Sequence, residues 1–253
     1  MPVQRPFIPG VPGAAFPSTS NLVSAVLAGG FGLRLRAVVS DRPKVLAEIE
    51  GRPFIDILLE QLEAAGAKTA VLCIGYLGHQ IKSRLGELQR GLNLLYSEEN
   101  MPMGTGGALR LALPLFSSES VLVMNGDSYY NGDLTPLLTS HFKKKAAISV
   151  LLAKVRDTGR YGTVQVGSYG EIKDFREKDP AKSGPGWVNA GVYVIQKQVI
   201  QAIPEQVTIS LEREVFPSLI GQGLHGYRGR GDFLDIGTPE SYARAGAFIR
   251  SRP

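Results

Sequence analysis

Short apolar runs, each ending in glycine or a polar turn, alternate with segments of helical period through the first half of this 253-residue chain. Residues 22–28, 69–74, 92–96 and 120–124 read as buried strands. Between the first two, Ile55, Leu58, Leu59 and Leu62 fall on one helical face after Pro53 and before Gly66, and residues 108–115 give a second helical stretch. Strands joined through helices need crossover connections, which build a mostly parallel sheet covered on both faces. Beyond Ala146 the pattern changes to strand runs at 148–155, 163–166, 171–175 and 188–195. These predict an antiparallel-rich second half that completes the sheet and walls one side of a cleft. No linker separates the halves. The expected fold is therefore α/β: one Rossmann-like domain over residues 21–253, with a mixed, mostly parallel central sheet flanked by helices. Residues 1–20 hold five prolines and a single charge, Arg5, and read as a flexible Pro-rich extension that cannot fold alone.

Composition excludes several classes. Cys73 is the one cysteine, so neither an intramolecular disulfide nor a cysteine-rich zinc module is possible, and a reducing cytoplasm fits. No apolar stretch nears the roughly 20 residues of a membrane span, and the N-terminus lacks a secretion signal. A cytoplasmic protein without membrane contact is expected. The net charge is +5, yet no long basic tract or stripe interleaved with aromatics occurs. Nucleic acid is not an expected partner; a small polyanion suits the charge. Lys143 to Lys145 read as a solvated helix end. His79, His141 and His225 have no ligand spacing.

The chemistry concentrates at Leu27-Ala28-Gly29-Gly30-Phe31-Gly32-Leu33-Arg34, followed by Pro43-Lys44. Glycines at the end of a strand let backbone N–H groups face phosphate oxygens closely, and Arg34 and Lys44 can neutralise the charge. A Walker loop would need Lys and Ser or Thr where Leu33 and Arg34 stand, and a dinucleotide fingerprint would need glycine at Leu35.

Further motifs follow: Gly104-Thr105-Gly106-Gly107-Ala108, Asn125-Gly126-Asp127, Arg160-Tyr161-Gly162-Thr163-Val164, Phe175-Arg176-Glu177-Lys178, Asn189-Ala190-Gly191-Val192-Tyr193 and Asp235-Ile236-Gly237-Thr238-Pro239-Glu240. In this order, over residues 22–250, the set resembles the sugar-1-phosphate nucleotidyltransferases, most of all the D-glycero-D-manno-heptose 1-phosphate guanylyltransferases, with mannose-1-phosphate guanylyltransferases next. The resemblance implies the nucleotide-diphospho-sugar transferase fold. It assigns catalysis to Arg34, Lys44, Asp127 and Asp235, with the two aspartates holding Mg²⁺. Leu27, Ala28, Gly29, Gly30, Gly32, Glu99, Gly104 and Thr105 would bind the nucleotide. Gly162, Glu177, Lys178, Asn189 and Gly191 would bind the sugar phosphate. The implied partners are GTP, or another nucleoside triphosphate, and a sugar 1-phosphate, on a monomer or homodimer.

Alternative readings stand beside these. Asp127 also reads as a turn aspartate, Asp235 as a helix cap near Thr238-Pro239, and Trp187 as packing or a sugar wall. Glu212 resembles a further family position near the sugar, but a capping box starting at Ser210 explains a glutamate there equally well. Glu99 stands five residues before Gly104, where pyrimidine-using relatives place a glutamine. An ionised carboxylate only accepts, which suits the adjacent N1–H and N2–H₂ donors of guanine and disfavours uracil or thymine. The rivals are an enzyme using UTP or dTTP with a hexose phosphate, and a non-catalytic nucleotide-sugar-binding regulator. A glycosyltransferase with an Asp-x-Asp motif is disfavoured, because Ser128-Tyr129 follow Asp127.

Overall fold

A computed structural model of the chain describes residues 22–176 and 184–250. Its longer strands are β1 (Val23–Leu27), β2 (Thr69–Ile74), β3 (Leu92–Glu98), β4 (Ser120–Asn125), β5 (Ser128–Asn131), β6 (Ile148–Val155), β7 (Thr163–Val166), β8 (Ile172–Arg176), β9 (Gly186–Gln196), β10 (Leu224–Arg228) and β11 (Asp232–Asp235). The longer helices are α1 (Phe54–Ala64), α2 (Gly78–Leu85), α3 (Gly104–Ala112), α4 (Thr135–Lys144) and α5 (Pro239–Arg250). The proposed extension over residues 1–20 lies outside the described residues.

The main sheet runs β8-β7-β9-β4-β1-β2-β3, ends in a two-residue strand at Leu88–Gln89, and carries β6 alongside β9 and β10 alongside β6. β1 is parallel to both β4 and β2, and β2 is parallel to β3. In the second half β9 is antiparallel to β4 and β6, as is β7 to β8, while β10 returns parallel to β6. The expected mixed sheet is thus observed.

Alternation along each strand divides the core in two, because successive side chains point to opposite faces. Val26, Leu72, Leu122, Met124, Val192 and Val194 pack with Ile55, Leu58, Leu59 and Leu62 of α1. Ala25, Val71, Cys73, Val121, Val123 and Tyr193 face the other way, against Leu109 and Ala112 of α3 and against Phe216. Burial pushes the Cys73 thiol up to about 12, consistent with a small core residue. Trp187 packs on this second cluster, under the Arg228 guanidinium, whose carbon is 5.8 Å from the ring centroid. The Lys143 to Lys145 run closes α4, as expected of a charge-complemented helix end.

The second helical stretch differs in its bounds from the sequence reading. It begins at Gly104, four residues early, and tightens into a 3₁₀ turn at Leu113–Leu115. The glycine-rich start becomes helical because Gly106 N donates to Ile209 O at 2.9 Å, a tertiary partner for an otherwise orphaned N–H. No helix among the described residues is long and apolar enough to cross a membrane.

Candidate active site

The C-terminal ends of β4, β1, β2 and β3 lie side by side, where ligands sit in open α/β sheets. They shape a cavity of about 560 Å³ whose wall includes residues 27–34, Lys44, Glu99, Gly104, Thr105, Asn125, Asp127 and Gly237. Backbone bonds splice the strand ends together. Ala28 N donates to Cys73 O at 2.8 Å, Gly126 N to Leu27 O at 2.9 Å and Glu99 N to Ile74 O at 2.9 Å. At Gly126 a Cβ would stand 2.6 Å from both Leu27 O and Val45 Cγ1, so a larger residue would prise the glycine loop away from Asp127.

On this floor the ionic residues converge. Lys44 Nζ donates to Asp127 Oδ2 at 2.7 Å, with the lysine side chain 12% exposed and the aspartate 39%. Ser128 Oγ donates to Asp127 Oδ1 at 3.2 Å. Burial pushes the Asp127 carboxyl up, but the Lys44 charge and hydrogen bond, Ser128 and then Arg34 together outweigh it and leave it below the ordinary range. Asp235 arrives through the ribbon of β11 and β5: it lies opposite Ser128, and Ile236 N donates to Asp127 O at 2.9 Å. Its carboxyl is held above the ordinary range by burial and by the negative charge of Asp127, against the Gly237 N–H it accepts from and the cations Lys44 and Arg34. Arg34 reaches the same place, since its Nη2 would be 3.3 Å from a Cβ on Gly237.

Two oxygen-donating carboxylates, one resisting ionisation because it is buried and because the other is charged, are a donor set that a hard divalent cation would relieve. Among the described residues no group of three or more His, Cys, Asp or Glu is placed to hold a metal, so substrate oxygens would have to complete the shell. The cap reading of Asp235 does not hold. Thr238 caps α5, accepting from Ser241 N at 3.3 Å.

Glu99 leaves the end of β3 and reaches the cavity wall. Its Oε2 accepts from Met103 N at 3.1 Å, and its Oε1 lies so near Gly29 that a Cβ there would approach to 2.6 Å. Burial holds its carboxyl above the ordinary range, with the Met103 N–H working the other way. Gly104 and Thr105 form wall at the start of α3, but the Thr105 hydroxyl is already engaged, accepting from Leu211 N and donating to Glu212 Oε2, each at 2.8 Å.

On the other flank, Gly191 has φ +71 and faces Ser128 and Asn125. Asn189 donates to Tyr193 OH at 2.8 Å and accepts from Gly191 N at 2.9 Å. Gly162 is exposed just before β7 and is not part of the cavity wall. Glu177 and Lys178 lie outside the described residues.

Two features escaped the sequence reading. Glu214, not Glu212, closes the box at Ser210: Ser210 N donates to Glu214 Oε2 at 2.7 Å, and Arg213 N to Ser210 Oγ at 3.3 Å. Glu212 is thereby free to turn inward onto Tyr193, Thr105 and Ser210. The second is a stack that braces the glycine loop, with the Arg36 guanidinium 4.6 Å from the Tyr76 ring and Phe31 5.4 Å from Tyr76. A tyrosine inside the apolar run of β9 was the signal that could have pointed to the first.

The nucleotidyl transferase family model matches residues 23–252. A mannose-1-phosphate guanylyltransferase from Mycobacterium tuberculosis is 33% identical over 236 residues, 91% of this chain and 65% of that protein. A D-glycero-alpha-D-manno-heptose 1-phosphate guanylyltransferase from Campylobacter jejuni is 32% identical over 222 residues, 86% of this chain and 95% of that protein. The chain thus spans 65% of the first relative's length and nearly all of the second's. The crystal structure of HddC from Yersinia pseudotuberculosis, solved also in complex with GMP-PN, superposes with a TM-score of 0.79 at 28% identity, covering 90% of this chain and 99% of that one. Because the family model runs from the first residue of β1 to beyond the end of α5, the chain belongs to the nucleotidyl transferase family.

Proposed function

We propose that this chain is a sugar-1-phosphate guanylyltransferase, which joins GMP from GTP to D-glycero-D-manno-heptose 1-phosphate and releases pyrophosphate. The observation that carries the reading is one cavity with Arg34, Lys44 and Asp127 on its wall, Asp235 beside it, and the acceptor-only side chain of Glu99 at the end of β3. β4 and β3 are separated by two strands, roughly 14 Å at the usual spacing. That separation suits a nucleotide laid with its base at Glu99 and its α-phosphate at Asp127.

In the reaction an anionic oxygen of the sugar phosphate attacks the α-phosphorus. A new phosphorus–oxygen bond forms as the bond to the bridging oxygen breaks, and the electron pair leaves with pyrophosphate. No proton has to be removed from the nucleophile. The barrier is repulsion between two polyanions, which Arg34, Lys44 and the N–H groups of the Gly29 to Gly32 loop offset. Asp127 and Asp235 would hold Mg²⁺, which when bound supplies further positive charge against the triphosphate and the departing pyrophosphate. Lys44, shared between Asp127 and the phosphates, keeps the carboxylate ionised. Glu177 and Lys178 are assigned to the sugar 1-phosphate, with Gly162, Asn189 and Gly191 near its hydroxyls.

The heptose assignment follows the ordered motif set, whose resemblance is strongest to the heptose-type enzymes, while relatives of both names lie at similar identity, 31–33%. The test is pyrophosphate release from GTP, UTP, dTTP and ATP crossed with heptose, mannose and glucose 1-phosphates. GTP with the heptose phosphate should be fastest, and faster turnover of mannose 1-phosphate would move the sugar assignment to mannose. If Glu99→Gln leaves nucleotide preference unchanged, the guanine assignment is wrong.

A further inference from the structure

The polar cluster beside the cavity has one direction of donation. The hydroxyls of Thr105 and Ser210 each accept from a backbone N–H, Leu211 at 2.8 Å and Arg213 at 3.3 Å. Their protons are therefore directed to Glu212 Oε2, at 2.8 and 2.9 Å. Tyr193 gives its one proton to Glu212 Oε1 at 3.1 Å, and burial keeps that phenol neutral. Its oxygen can then only accept, and two amides donate to it: Asn189 Nδ2 at 2.8 Å and Asn125 Nδ2 at 3.3 Å. The carboxamide of Asn125 is thus turned with nitrogen toward Tyr193. Its Oδ1 is buried with no protein partner among the described residues. Asn125 belongs to the cavity wall, between Leu27 on the nucleotide flank and Gly191 on the other. A buried unpaired acceptor is unusual and calls for a donor.

We infer that Asn125 presents its carbonyl oxygen to a hydroxyl of a bound substrate, and that Glu212, acting through Tyr193, is the positioning residue that fixes this orientation. The inference rests on the transferase reading above. The donor is a hydroxyl either of the nucleotide ribose or of the sugar 1-phosphate, and the two sources separate kinetically.

Pyrophosphate release is measured for the wild type and Asn125→Ala with GTP, 2′-deoxy-GTP and 3′-deoxy-GTP, and against the sugar 1-phosphate concentration. If the ribose is the donor, the wild type loses roughly tenfold in kcat/KM on one deoxynucleotide. The variant then uses GTP and that analogue equally. If the sugar is the donor, the variant raises the sugar phosphate KM by a similar factor with the GTP KM unchanged. Glu212→Gln, which can donate to Tyr193 and release its proton toward Asn125, should erase the same hydroxyl selectivity, whereas a merely structural glutamate would lower all substrates alike. Equal losses on every substrate would overturn the inference. Should the wild type prefer another nucleotide, the guanylyl reading fails alone, and the comparison is made with that nucleotide and its deoxy forms.

Discussion

Lys44 and Asp127 hold each other at 2.7 Å on the floor of the cavity, and against burial, which raises the Asp127 carboxyl, the lysine is the largest influence holding it below the ordinary range. Lys44→Ala and Asp127→Ala are each expected to lower turnover at least ~100-fold in a protein that still folds, as when preorganised electrostatic groups are removed. Turnover assays beside circular dichroism check this, and normal rates in both variants would remove the mechanism. Asp235 carries the opposite burden. Its carboxyl titrates above the ordinary range because burial and Asp127 disfavour its ionised form, so the metal-free protein loses stability as pH rises through that titration. Asp235→Asn should therefore melt higher than the wild type at pH 7 without metal, with the gap closing on acidification, while activity falls. A lower melting temperature for the variant at pH 7 would contradict the strain assigned to Asp235. Lys44 and Arg34 were legible in the sequence because they follow a glycine loop closely. The role of Asn125 was not, because it depends on a hydrogen-bond direction set by Glu212, far along the chain.

Among the elements, the ribbon of β5 and β11 does most to assemble the site, since its pairing brings Asp235 opposite Ser128. Neither strand was foreseen. Residues 128–131 and 232–235 are too short and too polar to show alternation, and become strands because each supplies the other's ladder partner. The apolar strands β1, β2 and β4 were legible because burial on both faces demands a continuous hydrophobic run. Helix α4 is fastened by His141, whose Nδ1 lies 3.0 Å from Ser149 Oγ of β6 and whose Nε2 lies 3.4 Å from Ser120 Oγ of β4. Burial, and then the charge of His225, lower the His141 pKa from 6.5 to about 4. The unfolded chain then binds the extra proton first, so this contribution is complete above pH 6.5 and is lost as pH falls toward 4. Replacing it, as in His141→Gln, should flatten the melting profile across that interval. An unaltered slope would show that the imidazole is not what titrates.

At the scale of the molecule, ligand binding and folding are linked, because a cavity built from four strand ends exists only in the folded chain. At a hundredfold excess over Kd, GTP should stabilise the fold by about 2.7 kcal/mol, roughly 5 to 10 °C in Tm for a chain of this length. UTP at the same concentration should shift it far less. Equal shifts from both would remove Glu99 as the base-reading residue. The sequence by itself determined the layer order of the core, because hydrophobic period is local and says which face of each strand or helix must leave water. It also determined the glycine loop and its cations, whose chemistry is written within a few residues. Only the tertiary structure decided which glutamate closes the Ser210 box and which turns inward, and which way Asn125 presents its amide. Those outcomes depend on strand pairing and on the sharing of single protons between residues distant along the chain, and no local pattern encodes either.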